Sequence, residues 1–127
     1  MIDMKKDTVL FVDDEEINLF LFEKTFERDF EVLTALSGLE GLEKLKENEK
    51  RIKVVISDMR MPSMNGLEFV EKVKKNFVEI ECFILTGYGH NKELEAAVEN
   101  NLIDRLFSKP FDYDSIKNAI GISSRGS

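Results

Sequence analysis

Five short apolar runs alternate with longer stretches of helical periodicity, and this alternation constrains the fold more than any other feature of the chain. The runs cover residues 8–12, 30–35, 53–57, 81–85 and about 104–107. Helical patterns follow at about 15–28, 37–46, 67–76, 92–100 and 113–120. The first run, Thr8-Val9-Leu10-Phe11-Val12, has no polar alternation, as expected of a strand covered on both faces. Strands that alternate with helices at this spacing predict a parallel sheet with right-handed crossovers. The expected class is α/β: a doubly wound five-stranded sheet, order 2-1-3-4-5, with helices on both faces. At 127 residues the chain has room for one core. We read residues 1–122 as one domain and residues 123–127 as a linker or appended tail.

Composition removes several function classes. The formal net charge of -7 repels phosphate backbones, so direct nucleic-acid binding is not expected. The single cysteine, Cys82, excludes an internal disulfide framework and falls in a run read as core. The single histidine, His90, follows a glycine turn and reads as an exposed loop residue. No apolar run approaches the ~18 residues that span a bilayer, and residues 1–7 are too polar for a signal peptide. No membrane association is expected, and the expected compartment is the cytoplasm.

In an open parallel sheet, ligands bind beyond the carboxyl ends of the strands. There the first strand delivers Asp13 and Asp14, the third Asp58, the fourth Thr86 and the fifth Lys109. Three carboxylates in one crevice repel each other, and a hard divalent cation with oxygen ligands, such as magnesium, removes the conflict. The Lys109 ammonium and the Thr86 hydroxyl suit a phosphoryl oxygen. Together they describe a cradle for a phosphoryl group carried on an aspartate. Asp13 and Asp14 also suit capping of the helix that follows, which is compatible with metal binding. Ser37 reads as an N-cap, with Glu40 completing a capping box.

From about Thr8 to Ile122 the sequence resembles the receiver domain of two-component response regulators, a CheY-like domain of flavodoxin-like order. The resemblance rests on Asp13-Asp14, Asp58, Thr86 and Lys109-Pro110 in sequence, and on the loop Met61-Pro62-Ser63-Met64-Asn65-Gly66. It implies that Asp58 accepts a phosphoryl group from a sensor histidine kinase or phosphotransfer protein. It implies Mg2+ held by Asp13, Asp14, Asp58 and the backbone carbonyl of Arg60, with Asp13 acting partly through water. Thr86 and Lys109 would engage the phosphoryl group, and the Lys109-Pro110 bond would be cis. The change would spread to the face made by the fourth helix, fifth strand and fifth helix, and so control an output domain or downstream protein. Such a domain is a phosphoacceptor and not a stand-alone turnover enzyme.

Two features depart from the family's usual pattern. Leu106 stands where many members carry Tyr or Phe, three residues before the lysine. Arg60 and Tyr88, each two residues beyond a site residue, are large, and we expect them to shield an acyl phosphate from water. In the first helix Ile17, Leu19, Phe20, Leu21 and Phe22 occupy five of six positions, more than one buried stripe needs. At least one of Leu19 and Phe20 should face outward and serve kinase docking. The sequence leaves a homodimer open. Competing readings are a phosphorylation-independent interaction or dimerisation module, an aspartyl-nucleophile phosphatase and a flavodoxin. The phosphatase lacks its second aspartate, since Met59-Arg60 follows Asp58, and the flavodoxin lacks a Ser/Thr-rich phosphate loop after the first strand.

Overall fold

The computed structural model describes residues 6–87 and 91–125, with side-chain surroundings up to residue 122. Strands β1 (Thr8–Val12), β2 (Glu31–Ala35), β3 (Ile52–Asp58), β4 (Glu81–Thr86) and β5 (Arg105–Ser108) alternate with five helices. These are α1 (Glu16–Phe26), α2 (Gly38–Glu47), α3 (Gly66–Asn76), α4 (Lys92–Glu99) and α5 (Tyr113–Arg125). The sheet order is β2-β1-β3-β4-β5 and every pairing is parallel, as the alternation predicts. No helix among the described residues is long and apolar enough to cross a membrane.

Each face of the sheet builds its own core because strand side chains alternate in direction. Leu10, Val12, Val55, Cys82 and Ile84 pack against α2, α3 and α4 through Leu45, Phe69, Val70, Val73 and Leu94. Val9, Phe11, Val54, Ile56, Phe83 and Leu85 pack against α1 and α5 through Phe22, Phe26, Ile116 and Ile120. The second face is aromatic: Phe11 stacks on Phe22 with centroids 4.1 Å apart, and Phe26 touches Phe111 and Tyr113. Tyr113 also donates a 2.6 Å hydrogen bond to Asp29 Oδ2, which ties the start of α5 to the α1–β2 turn. That hydroxyl, with the Lys117 ammonium, holds the Asp29 carboxyl below the ordinary carboxylate value. Burial pushes the Cys82 thiol up to about 12, so it behaves as a small apolar core residue.

Three local expectations are corrected. Helix α1 points Leu19, Phe22 and Phe26 inward, while Ile17, Phe20 and Leu21 are 60%, 53% and 51% exposed. Leu19 is therefore a core residue and not a docking residue; Phe20 faces outward, accompanied by Ile17 and Leu21. Helix α5 continues through Ser123 and Ser124 to Arg125, so the segment read as a tail begins as helix. Ser37 caps α2 by accepting from the Glu40 N–H at 3.1 Å, but no reciprocal bond from Glu40 is present among the described residues. The complete capping box lies instead at α3. Asn65 accepts from the Glu68 N–H at 2.8 Å, and Glu68 accepts from the Asn65 N–H at 2.9 Å.

Candidate functional site

Because β1, β3 and β4 are adjacent and parallel, their carboxyl ends meet at one edge of the sheet. Val12 pairs with Ser57, Asp58 with Leu85 and Thr86 with Ser108, so the residues at and just beyond these positions share one rim. Asp58 and Thr86 are the last residues of their strands and are 6% and 5% exposed. Asp13 is 1% exposed, and its neighbour Asp14 faces solvent. Carboxylate oxygens of Asp13, Asp14 and Asp58 lie within 4.8 Å of one another. Lys109 Nζ makes an ion pair with Asp58 Oδ1, and its own N–H donates to the Thr86 carbonyl at 2.8 Å. The Lys109-Pro110 peptide is cis.

These groups border a pocket of about 390 Å³ whose walls include Asn18, Met59, Arg60 and Gly87. Thr86 and Asn91 line an adjoining cavity of about 550 Å³ that shares Asp14, Met59 and Arg60 with the first. Thr86 thus approaches the acidic cluster from the α4 side, whereas Lys109 approaches from the α5 side. Arg60 is exposed at the rim between the two cavities. Tyr88 and His90, also singled out from the sequence, lie outside the described residues. Leu106 packs on the α2–α4 face, while Phe107 lies against Phe83 on the opposite face at 5.6 Å. The aromatic beside the family's reporter position therefore belongs to the other core.

Burial without full compensation pushes the Asp13 carboxyl above the ordinary carboxylate value, and the neighbouring charge of Asp58 adds to that. Hydrogen bonds from the Glu15 N–H at 2.9 Å and Asn18 Nδ2 at 3.2 Å, with Lys109 nearby, oppose it only in part. The donor set fits a small, hard divalent cation: carboxylate oxygens close enough to share one ion, with an open pocket for retained waters. Sequence reasoning missed Asn18, and it singled out Gly66 only as part of the loop after the acceptor. Asn18 stands five residues after Asp13, on the first turn of the following helix, where a side chain can reach back. Gly66 allows α3 to start against the acceptor strand, donating its N–H to the Met59 carbonyl at 2.8 Å.

A doubly wound parallel sheet with buried aspartates and one lysine converging at a carboxyl-end crevice defines the class of aspartate-based phosphoacceptor signalling modules. Within that class, the chain belongs to the response regulator receiver domain family, whose model matches residues 9–121. It is 31% identical over 120 residues to sporulation initiation phosphotransferase F of Bacillus subtilis, covering 92% of this chain and 93% of that protein. It is 30% identical over 116 residues to the hydrogenase transcriptional regulatory protein HoxA of Cupriavidus necator, covering 91% of this chain and 24% of that protein. Among solved structures, a response regulator receiver domain protein from Clostridium thermocellum superposes with a TM-score of 0.88 at 32% identity, covering 94% and 95% of the two chains. The phosphoacceptor role, and not a phosphorylation-independent interaction module, is the function these relationships support.

Proposed function

We propose that Asp58 is the phosphoacceptor and that Asp13, Asp14, Asp58 and the Arg60 carbonyl hold Mg2+ beside it. The observation that carries this reading is the buried Asp58 carboxylate, which shares one crevice with two further carboxylates and is paired to a single lysine. The bound ion would neutralise the crowded carboxylates and bind a phosphoryl oxygen. An Asp58 oxygen attacks phosphorus, the bond from phosphorus to the donor histidine nitrogen breaks, and an acyl phosphate forms. Lys109 then exchanges its Asp58 partner for a phosphoryl oxygen, and the Thr86 hydroxyl donates to another. Because these contacts exist only with the phosphoryl group in place, they can bias one conformation of the α4-β5-α5 face.

The donor is a phosphohistidine on a kinase or phosphotransfer protein, met in the cytoplasm, and the output is a linked domain or downstream protein. The exposed Ile17, Phe20 and Leu21 of α1 form the docking patch. In support, Leu21 also borders an apolar groove of about 540 Å³ that reaches Lys109, Pro110 and Phe111 next to the acceptor crevice. Phe20→Ser should slow phosphotransfer from the protein donor severalfold and leave phosphorylation by a small acyl phosphate unchanged. Equal loss with both donors would remove the docking role.

The acceptor assignment is tested by incubating the protein with Mg2+ and a small acyl phosphate, followed by intact mass. The wild type should gain one phosphoryl unit, and Asp58→Asn should gain none. A full gain in the Asp58→Asn protein would assign the chemistry elsewhere.

A further inference from the structure

The amino-terminal edge of the sheet, opposite the acceptor, holds a second pocket of about 480 Å³ framed by Lys6, Lys50, Arg51 and Lys53. Four cations at one opening stand out in a chain of net charge -7, and among the described lining residues only Asp7 and Glu31 are acidic. Glu31 is already engaged: it makes an ion pair with Arg51 and accepts from Thr8 Oγ1 at 3.4 Å. Asn48 Oδ1 accepts from Arg51 Nη1 at 3.0 Å, so the guanidinium is held in place from two sides. Lys6 Nζ donates to the Glu27 backbone carbonyl at 2.8 Å, a neutral partner that positions the ammonium without cancelling its charge.

Lys53 reaches this opening through an irregularity in the sheet. Thr8 pairs with Ile52 and Val9 with Val54, which leaves Lys53 as an extra residue in β3. It is the exposed residue of a strand that is otherwise buried throughout. A bulge of this kind re-aims a side chain, and here it turns an ammonium out of the sheet. Lys50 and Lys53 take part in none of the ion pairs of the described residues. With Glu31 matched by Arg51, Asp7 faces three lysines, and the pocket keeps an excess of positive charge.

We propose that this pocket is a second anion site and that it takes an oligophosphate. Its volume suits a small molecule and not an extended surface. No aromatic ring is among its described lining residues, so none of them can stack a nucleobase, and recognition falls on charge and hydrogen bonds. Several separated ammonium groups around a fixed guanidinium match two or more linked phosphates better than one. The five residues of β1, about 16 Å, separate it from the acceptor crevice, so the two sites can be occupied independently.

The test is an amide chemical-shift titration of metal-free Asp58→Asn protein with sodium pyrophosphate, inorganic phosphate and a poly-glutamate peptide, all at constant ionic strength. The Asp58→Asn background silences the acceptor, so failure here leaves the phosphoacceptor reading untouched. Pyrophosphate should give saturable shifts centred on residues 6–8, 31 and 48–53, and should bind more tightly than phosphate. Lys50→Gln with Lys53→Gln, both exposed and expected to fold, should weaken binding by about tenfold or more. Shifts that only follow ionic strength, or an undiminished affinity in the double variant, would overturn the proposal. Binding by the peptide without pyrophosphate would likewise overturn it, in favour of an acidic protein partner.

Discussion

Asp13→Asn should raise the melting temperature of the metal-free protein at neutral pH, although it alters a site residue. Asp13 is 1% exposed, and desolvation is the main reason its carboxyl titrates above the ordinary value. Between the unfolded and folded values, the folded protein holds a proton that the unfolded chain has released. Stability therefore falls as pH rises through that window, and above it the whole cost of the buried charge is present. An asparagine keeps the oxygen that accepts from the Glu15 N–H, and Asn18 can turn its amide to meet the new NH2. The expected gain is on the order of 1–3 kcal/mol, or roughly 3–5 °C per kcal/mol for a domain of this size. It should shrink as the pH is lowered and Asp13 in the wild type becomes protonated. Thermal scans of both proteins in chelator, at neutral and at acid pH, measure it. A variant no more stable than the wild type at neutral pH would mean that Asp13 carries no electrostatic cost.

Gly66→Ala should damage both stability and acceptor chemistry. A Cβ on Gly66 would collide with the Asp58 carbonyl oxygen and lie 2.9 Å from the Met59 Cα, both backbone atoms that cannot swing aside. Either the start of α3 or the end of β3 must move. Overpacking of this kind costs roughly 1–3 kcal/mol. A displaced Asp58 should also lower the rate of phosphoryl incorporation by about tenfold or more, since attack depends on alignment to within about an ångström. Gly38→Ala is the matched control. Its Cβ would meet Met64 Sδ at 2.6 Å, the far end of a flexible side chain, at the start of a helix that favours alanine. It should fold and accept phosphate almost normally. Denaturant unfolding and the rate of mass gain with a small phosphodonor compare the two variants, and equal behaviour would remove the special role given to Gly66.

The crevice was legible in the sequence because parallel strands deliver whatever follows each of them to one edge. Asp13, Asp14, Asp58, Thr86 and Lys109 needed only the strand ends to be located within a residue or two. Thr86 shows the limit of that logic: the same edge holds two adjoining cavities, and a strand-end position does not say which one a side chain borders. Helix α1 defeated periodicity because apolar residues at five of six positions fit any face. The packing of Phe22 on Phe11, and of Phe26 on Phe111 and Tyr113, goes with the rotation that buries Leu19 and exposes Phe20. The extra residue at Lys53 was invisible for a related reason, since a bulge shifts register without changing composition. Asn18 and Gly66 act through contacts with Asp13 and Asp58 that exist only once the chain has folded.

Isothermal titration of the metal-free protein with Mg2+ tests most directly whether crowded carboxylates at Asp13, Asp14 and Asp58 are tolerated because a doubly charged ion joins them. The account predicts one ion per chain, bound by the wild type and markedly weakened in Asp13→Asn and Asp58→Asn. No association with the wild type, or undiminished affinity in both variants, would contradict it.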